Sequence, residues 1–145
     1  MDDRVRQAIV EFIGPFALMF IGGGSIIVTQ QLLGGAGQPT DSASLVIIAL
    51  AHGMAIAIMV AAAGHISGGV YNPALTVGLV AARRMPVDRG VLFIVSQLAG
   101  AVVAALALKA IFPATQVDAV KLGVPVVGGT YEVGAALLAE IIATF

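Results

Sequence analysis

A chain of 145 residues with 59% hydrophobic and 10% charged residues, and a mean hydropathy of +1.05, holds too little polar surface to coat a soluble domain. A net charge of −1 supplies no basic face for nucleic acid and no acidic sink for cationic partners. Cysteine is absent, which excludes disulfides and thiolate metal sites. No ligand cluster or nucleophile–base pair stands out, so no metal, cofactor or enzyme activity is expected.

The lead-in Met1-Asp2-Asp3-Arg4-Val5-Arg6 is charged. The apolar run behind it is longer than a secretory core and shows no small-residue cleavage site, which predicts a retained first span. Residues 8–29, 45–63 and 90–112 each supply about 20 mainly apolar residues, the length a helix needs to cross a hydrocarbon core of about 30 Å. Between the first two, Gly34-Gly35-Ala36-Gly37-Gln38-Pro39-Thr40-Asp41-Ser42 reads as a polar turn. The apolar run 134–145 is too short to span, and the chain is expected to stop inside a fourth helix.

The segment 64–82 departs from a simple hairpin. From Gly64 to Tyr71 it is glycine-rich and reads as irregular, and from Asn72 to Ala82 it is apolar and helix-compatible, about 16 Å long. Arg83, Arg84, Pro86, Asp88 and Arg89 then return the chain to water on the side it left. The expectation is a loop that enters the membrane and a half-helix that leaves it. Backbone of that kind is tolerated at depth only inside protein or against a watery cavity. Arg4, Arg6, Arg83, Arg84 and Arg89 fall on one side and Lys109 and Lys121 on the other, which predicts a cytoplasmic N-terminus.

Asn72-Pro73-Ala74 has the chemistry of a helix start: asparagine is a favoured N-cap, and proline at the first helical position loses no hydrogen bond. With its carbonyl capping the backbone, Asn72 keeps an NH2 free to donate into a pore. The half-helix end adds about half a positive charge, which favours water's oxygen and opposes cations. The preceding carbonyls of Gly68, Gly69 and Val70 offer acceptors in single file.

These residues, with Val10-Glu11-Phe12, Ala51-His52-Gly53, the loop Gly64 to Thr76, Ser96-Gln97-Leu98-Ala99-Gly100 and Ala139-Glu140-Ile141-Ile142-Ala143-Thr144-Phe145, resemble the first half of the aquaporin, or major intrinsic protein, family. The resemblance implies an all-α membrane protein. Residues 1–145 would form one partial domain, the first inverted repeat of a helical bundle: three transmembrane helices, one re-entrant half-helix and the start of a fourth helix. It further implies passive passage of water or small uncharged solutes such as glycerol, urea or ammonia, usually from a homotetramer when full length.

Residue roles follow from the same resemblance. Asn72, Pro73 and Ala74 form the motif at the pore midplane. Glu11 and Glu140 match the family's paired glutamates, which accept hydrogen bonds from the re-entrant loops; a carboxylate at the middle of a span costs about 3 kcal/mol without such a reason. The partner loop of Glu140 is expected outside this chain. His52 falls at the second-span position of the outer constriction, often phenylalanine in strict water channels and histidine in the plant vacuolar type. His65 is the motif's usual loop histidine, with a structural hydrogen bond expected of it. Val70 is a departure, since the family commonly has histidine there. The second Asn-Pro motif and the constriction arginine after it are also absent. Two alternatives stay open: a non-conducting fragment, and a broken-helix secondary transporter coupled through Glu11 or Glu140. Gly14, Gly22, Gly23, Gly24, Gly53, Gly78 and Gly100 are expected at close helix crossings. Short termini and a compact loop suggest a prokaryotic plasma membrane.

Overall fold

The structure, a computed structural model, describes residues 2–34, 42–127 and 131–144. Among the described residues every regular element is helical: α1 (Asp3–Thr29), α2 (Ser42–Ser67), α3 (Pro73–Ala81), α4 (Val87–Ile111), α5 (Ala114–Ala119) and α6 (Val133–Thr144), with a π-helical turn at Gln30–Gly34 and a 3₁₀ turn at Lys121–Gly123. Three of these, α1, α2 and α4, are long and apolar enough to cross a membrane.

Local chemistry sets the ends. The Asp2 side chain accepts from the Arg4 N–H at 3.0 Å and caps α1. Helix α4 starts behind Pro86 with Asp88 in its first turn and ends with Lys109 in its last, both matched to the helix dipole. Helix α2 is apolar all round and exposes Leu45, Val46, Leu50, Met54 and Ile58, a surface suited to lipid rather than water.

Helix α1 is the hub, packed along both α2 and α4, while α3 lies on α4. Arg4 and Asp88 pair at 2.8 Å, which brings the starts of α1 and α4 to one end. His65 and Ile66, at the end of α2, flank a small cavity with Asp3, Arg6 and Gln7 at that same end. So α1 and α4 run parallel and α2 runs against them. At the opposite end Ile27, Leu108 and Val117 form a buried cluster with Phe20, Phe112, Val120 and Leu122 around it.

Helices α1, α2 and α4 start three to five residues before the expected spans, and the structure differs from the sequence reading in three further ways. Helix α2 continues through Ser67, beyond the expected end at 63, because Gly64 stays helical and its carbonyl accepts from the Gly68 N–H at 2.8 Å. The chain leaves the helix only at Gly68, whose φ of +101° is open to glycine and costly for other residues. Second, α5 and the Lys121–Gly123 turn fold the segment after α4 back onto α1, where Gly123 meets Ile26; a six-residue helix and a three-residue turn are too short to show a helical period in the sequence. The third concerns glycine. A Cβ on Gly100 would overlap the Phe12 carbonyl, and Gly14 and Gly22 are covered by Tyr71 and His52, but Gly53 and Gly78 face open space. Those two sit on helix faces that no described residue covers. Within the expected polar turn at 34–42, residues 35–41 lie outside the described residues, as does Phe145 at the end of the fourth run.

Candidate functional site

The segment between α2 and α3 turns back on itself in five residues. Gly68, Gly69 and Tyr71 all have positive φ, of 101°, 65° and 49°. A tyrosine there is strained by about 1 kcal/mol or more and persists only where its surroundings hold it. Glu11 does much of the holding. Its fully buried carboxylate accepts from Ser67 Oγ at 2.6 Å and the Val70 N–H at 3.1 Å on Oε1, and from the Tyr71 N–H at 2.8 Å and Gln97 Nε2 at 2.7 Å on Oε2. Four donors satisfy a charge that would otherwise be prohibitive in this setting.

Further contacts extend that network. Gln97 Nε2 also donates to Thr76 Oγ1 at 3.1 Å, and the Thr76 hydroxyl donates to the Asn72 carbonyl at 2.9 Å, so α4 reaches the first turn of α3 through buried polar groups. Tyr71 Oη donates to the Met59 carbonyl at 3.1 Å. Arg89 donates to the Ser67 carbonyl at 2.9 Å while its guanidinium lies 5.0 Å over the Phe93 ring.

Depth follows from Gly14, against which the Tyr71 ring packs. Gly14 is about 16 Å along α1, a helix about 40 Å long, at 1.5 Å per residue. Asn72 is therefore set at mid-bundle. Its Oδ1 accepts from the Ala74 and Leu75 N–H groups at 2.8 and 3.3 Å, Pro73 takes the first helical position, and Ala74 is exposed beside it. Since Oδ1 faces those two donors, the NH2 points away from the helix; Asn72 is exposed and the NH2 has no partner among the described residues. The carbonyls of Gly68, Gly69 and Val70 likewise accept nothing from described groups. At Val70 the backbone N–H anchors the loop and the apolar side chain makes no polar contact.

His52 sits elsewhere on the same axis. Its ring lies against Gly22, about 12 Å farther along α1 than Gly14, and its Nδ1 is 2.8 Å from the Ile48 carbonyl. His65 is exposed and makes no hydrogen bond with described residues; the contact expected of it falls to Ser67, two residues on. Glu140 is exposed on α6 among Pro125, Val126, Val127 and Tyr131 and takes no part in Glu11's network. The site thus unites Glu11, Gly69, Val70 and Asn72 and leaves His52, His65 and Glu140 outside it.

Sequence reasoning assigned no place in the site to Ser67, Tyr71, Thr76, Arg89 or Gln97. Gln97 carried a usable signal, a lone amide within an apolar span. Arg89 did not, because an arginine at a helix start reads equally as a mark of the water boundary.

A broken, re-entrant segment clasped between three spanning helices defines an all-α integral membrane protein. The sequence model of the family "Major intrinsic protein" matches residues 2–145. Maize "Aquaporin TIP4-4" is 38% identical over 97% of this chain and 54% of its own length. Mouse "Aquaporin-4" is 38% identical over 93% of the chain and 40% of its own length, and Arabidopsis "Probable aquaporin TIP3-2" is 35% identical over 99% and 53%. The chain belongs to the major intrinsic protein family. It spans about half the length of the curated relatives it matches. These relatives are from plants and a mammal, which lends the prokaryotic expectation no support.

Proposed function

We propose that this chain forms half of a passive transmembrane pore for water and small uncharged solutes, with Asn72 at the midplane. The observation that carries this is the geometry at Asn72: its oxygen caps α3 while its NH2 is exposed near the level of Gly14, about two-fifths of the way along α1. A nine-residue helix end at the same point adds partial positive charge, which orients water by its oxygen and repels cations and hydronium. The unengaged carbonyls of Gly68, Gly69 and Val70 supply acceptors on the approach. The names of the relatives support water as a substrate. His52, a polar wall farther along, supports passage of urea, ammonia or glycerol beside it.

Glu11 is saturated by four donors, which supports a structural role over proton coupling and so disfavours a transporter. A complete pore needs a second half-helix with its own donor, and a homotetramer is the arrangement proposed for the full-length protein. The arginines at one end of the bundle support a cytoplasmic N-terminus. The test is stopped-flow light scattering on proteoliposomes of this chain and of Asn72→Asp under an osmotic step. Fast shrinkage with low activation energy, changed in the variant, is expected of an assembled pore. Shrinkage no faster than that of empty liposomes would mean that the chain does not conduct by itself.

A further inference from the structure

We infer that Gly22 is a positioning residue for His52: with the Ile48 carbonyl, it fixes the imidazole as the Nδ1–H tautomer and leaves Nε2 as a bare acceptor. The Ile48 oxygen lies 2.8 Å from Nδ1, one turn back on α2. A carbonyl only accepts, so Nδ1 carries the proton, using the lone pair that the helix's own backbone bond leaves free. In the neutral ring Nε2 is then unprotonated.

The opposite edge of the ring rests on α1 at Gly22, where an added Cβ would stand 2.6 Å from Cδ2 and 2.8 Å from Cε1, closer than side-chain carbons pack, and closer still to Nε2. Any side chain at 22 would push the ring off its seat and strain the Ile48 bond. Nε2 has no partner among the described residues, and the only sealed and unpartnered side-chain nitrogen or oxygen among them is Arg89 Nε, so Nε2 is not fully enclosed by its seat on Gly22. A partly open acceptor held in one orientation meets solutes that donate: water, ammonia and the amide groups of urea-type solutes. That last consequence rests on the pore proposed above; the tautomer and the seat do not.

Nitrogen NMR of the histidine-labelled chain in lipid bilayers tests this directly, because the sequence has only two histidines and His52→Ala identifies the His52 signals. The expected spectrum has Nδ1 protonated, Nε2 bare and a cross peak between the ring and Gly22 Cα. In Gly22→Ala the ring should sample both tautomers. Gly24→Ala, whose Cβ would meet Leu108 Cδ2 at an ordinary 3.4 Å, should leave the His52 signals unchanged. In proteoliposomes Gly22→Ala should lower the urea-to-water permeability ratio by about fivefold, the factor one neutral hydrogen bond is worth. A wild-type His52 protonated at Nε2, or identical His52 spectra in wild type and Gly22→Ala, would overturn the inference. Should Gly22→Ala not insert, the wild-type cross peak decides, and its absence sinks the idea. If wild-type liposomes leak no faster than empty ones the pore is in question, while the spectra still judge the tautomer.

Discussion

The Tyr71 N–H donates to Glu11 Oε2 at 2.8 Å across 60 residues of sequence, and it does so from a left-handed backbone conformation. The bond and the strain belong together: the conformation aims consecutive N–H groups of Val70 and Tyr71 at a single buried carboxylate. Replacing Glu11 by glutamine keeps the shape but turns one acceptor oxygen into a donor facing two donors. Two charge-assisted bonds are lost, so Glu11→Gln should destabilise the fold by about 3 kcal/mol or more. Denaturant titration in detergent measures this, and wild-type stability in the variant would contradict an ionised, four-bonded Glu11.

The glycines separate into two groups with opposite expectations. Gly100 abuts the Phe12 carbonyl, a backbone atom with no rotamer to escape into. Gly100→Ala must therefore push α4 off α1, and a loss of about 2 kcal/mol or more is expected from overpacking. Gly53 has nothing within 4 Å, so Gly53→Ala should be neutral or stabilise by up to about 1 kcal/mol through helix propensity. Thermal melts of the two variants side by side check the contrast; equal losses would mean that the open face of α2 is covered in the assembled protein.

Much of this architecture was legible in the chain because membrane burial simplifies the code. Length and hydropathy alone marked α1, α2 and α4, and Asn72-Pro73 declared a helix start wherever it fell, since capping is local chemistry. The end of α2 was not legible: Gly64 and Gly68 look alike in sequence, and only the return of the loop onto Glu11 makes one helical and the other a turn. Ser67 and Thr76 were hidden for a related reason. Small polar residues in apolar spans often bond their own helix, and which ones reach across depends on helix rotation, a property of the packed bundle. Likewise Gly53 and Gly100 share a composition context, and only geometry shows that one of them meets a neighbour.

Arg89 offers a gentler test of loop anchoring than Glu11. It donates to the Ser67 carbonyl, lies over Phe93, and leaves its own Nε without a partner. Arg89→Met retains the stem and relieves the unpaired Nε, but removes the bond to the last turn of α2. A net loss of about 1 kcal/mol is expected, smaller than a full charged hydrogen bond because of that relief. Hydrogen exchange with mass spectrometry should show faster exchange confined to residues 64–71, and uniform protection across that segment would argue that Glu11 alone holds the loop.

Asn72 allows stability and permeation to be separated. Asn72→Ala removes the oxygen that caps Ala74 and Leu75, and should cost about 1 kcal/mol. Asn72→Asp keeps that oxygen and places an anion at a helix N-terminus, so its stability should match or exceed the wild type. The aspartate nevertheless lacks the NH2, and its charge reverses the local field of the half-helix. If the segment lines a pore, Asn72→Asp should weaken cation and proton exclusion while the fold stays intact, and Asn72→Ala should weaken the fold more than the exclusion. A pH-sensitive dye trapped in proteoliposomes reads the first effect and a thermal melt the second. An Asn72→Asp variant as stable and as proton-tight as wild type would place the half-helix N-terminus away from the permeation path.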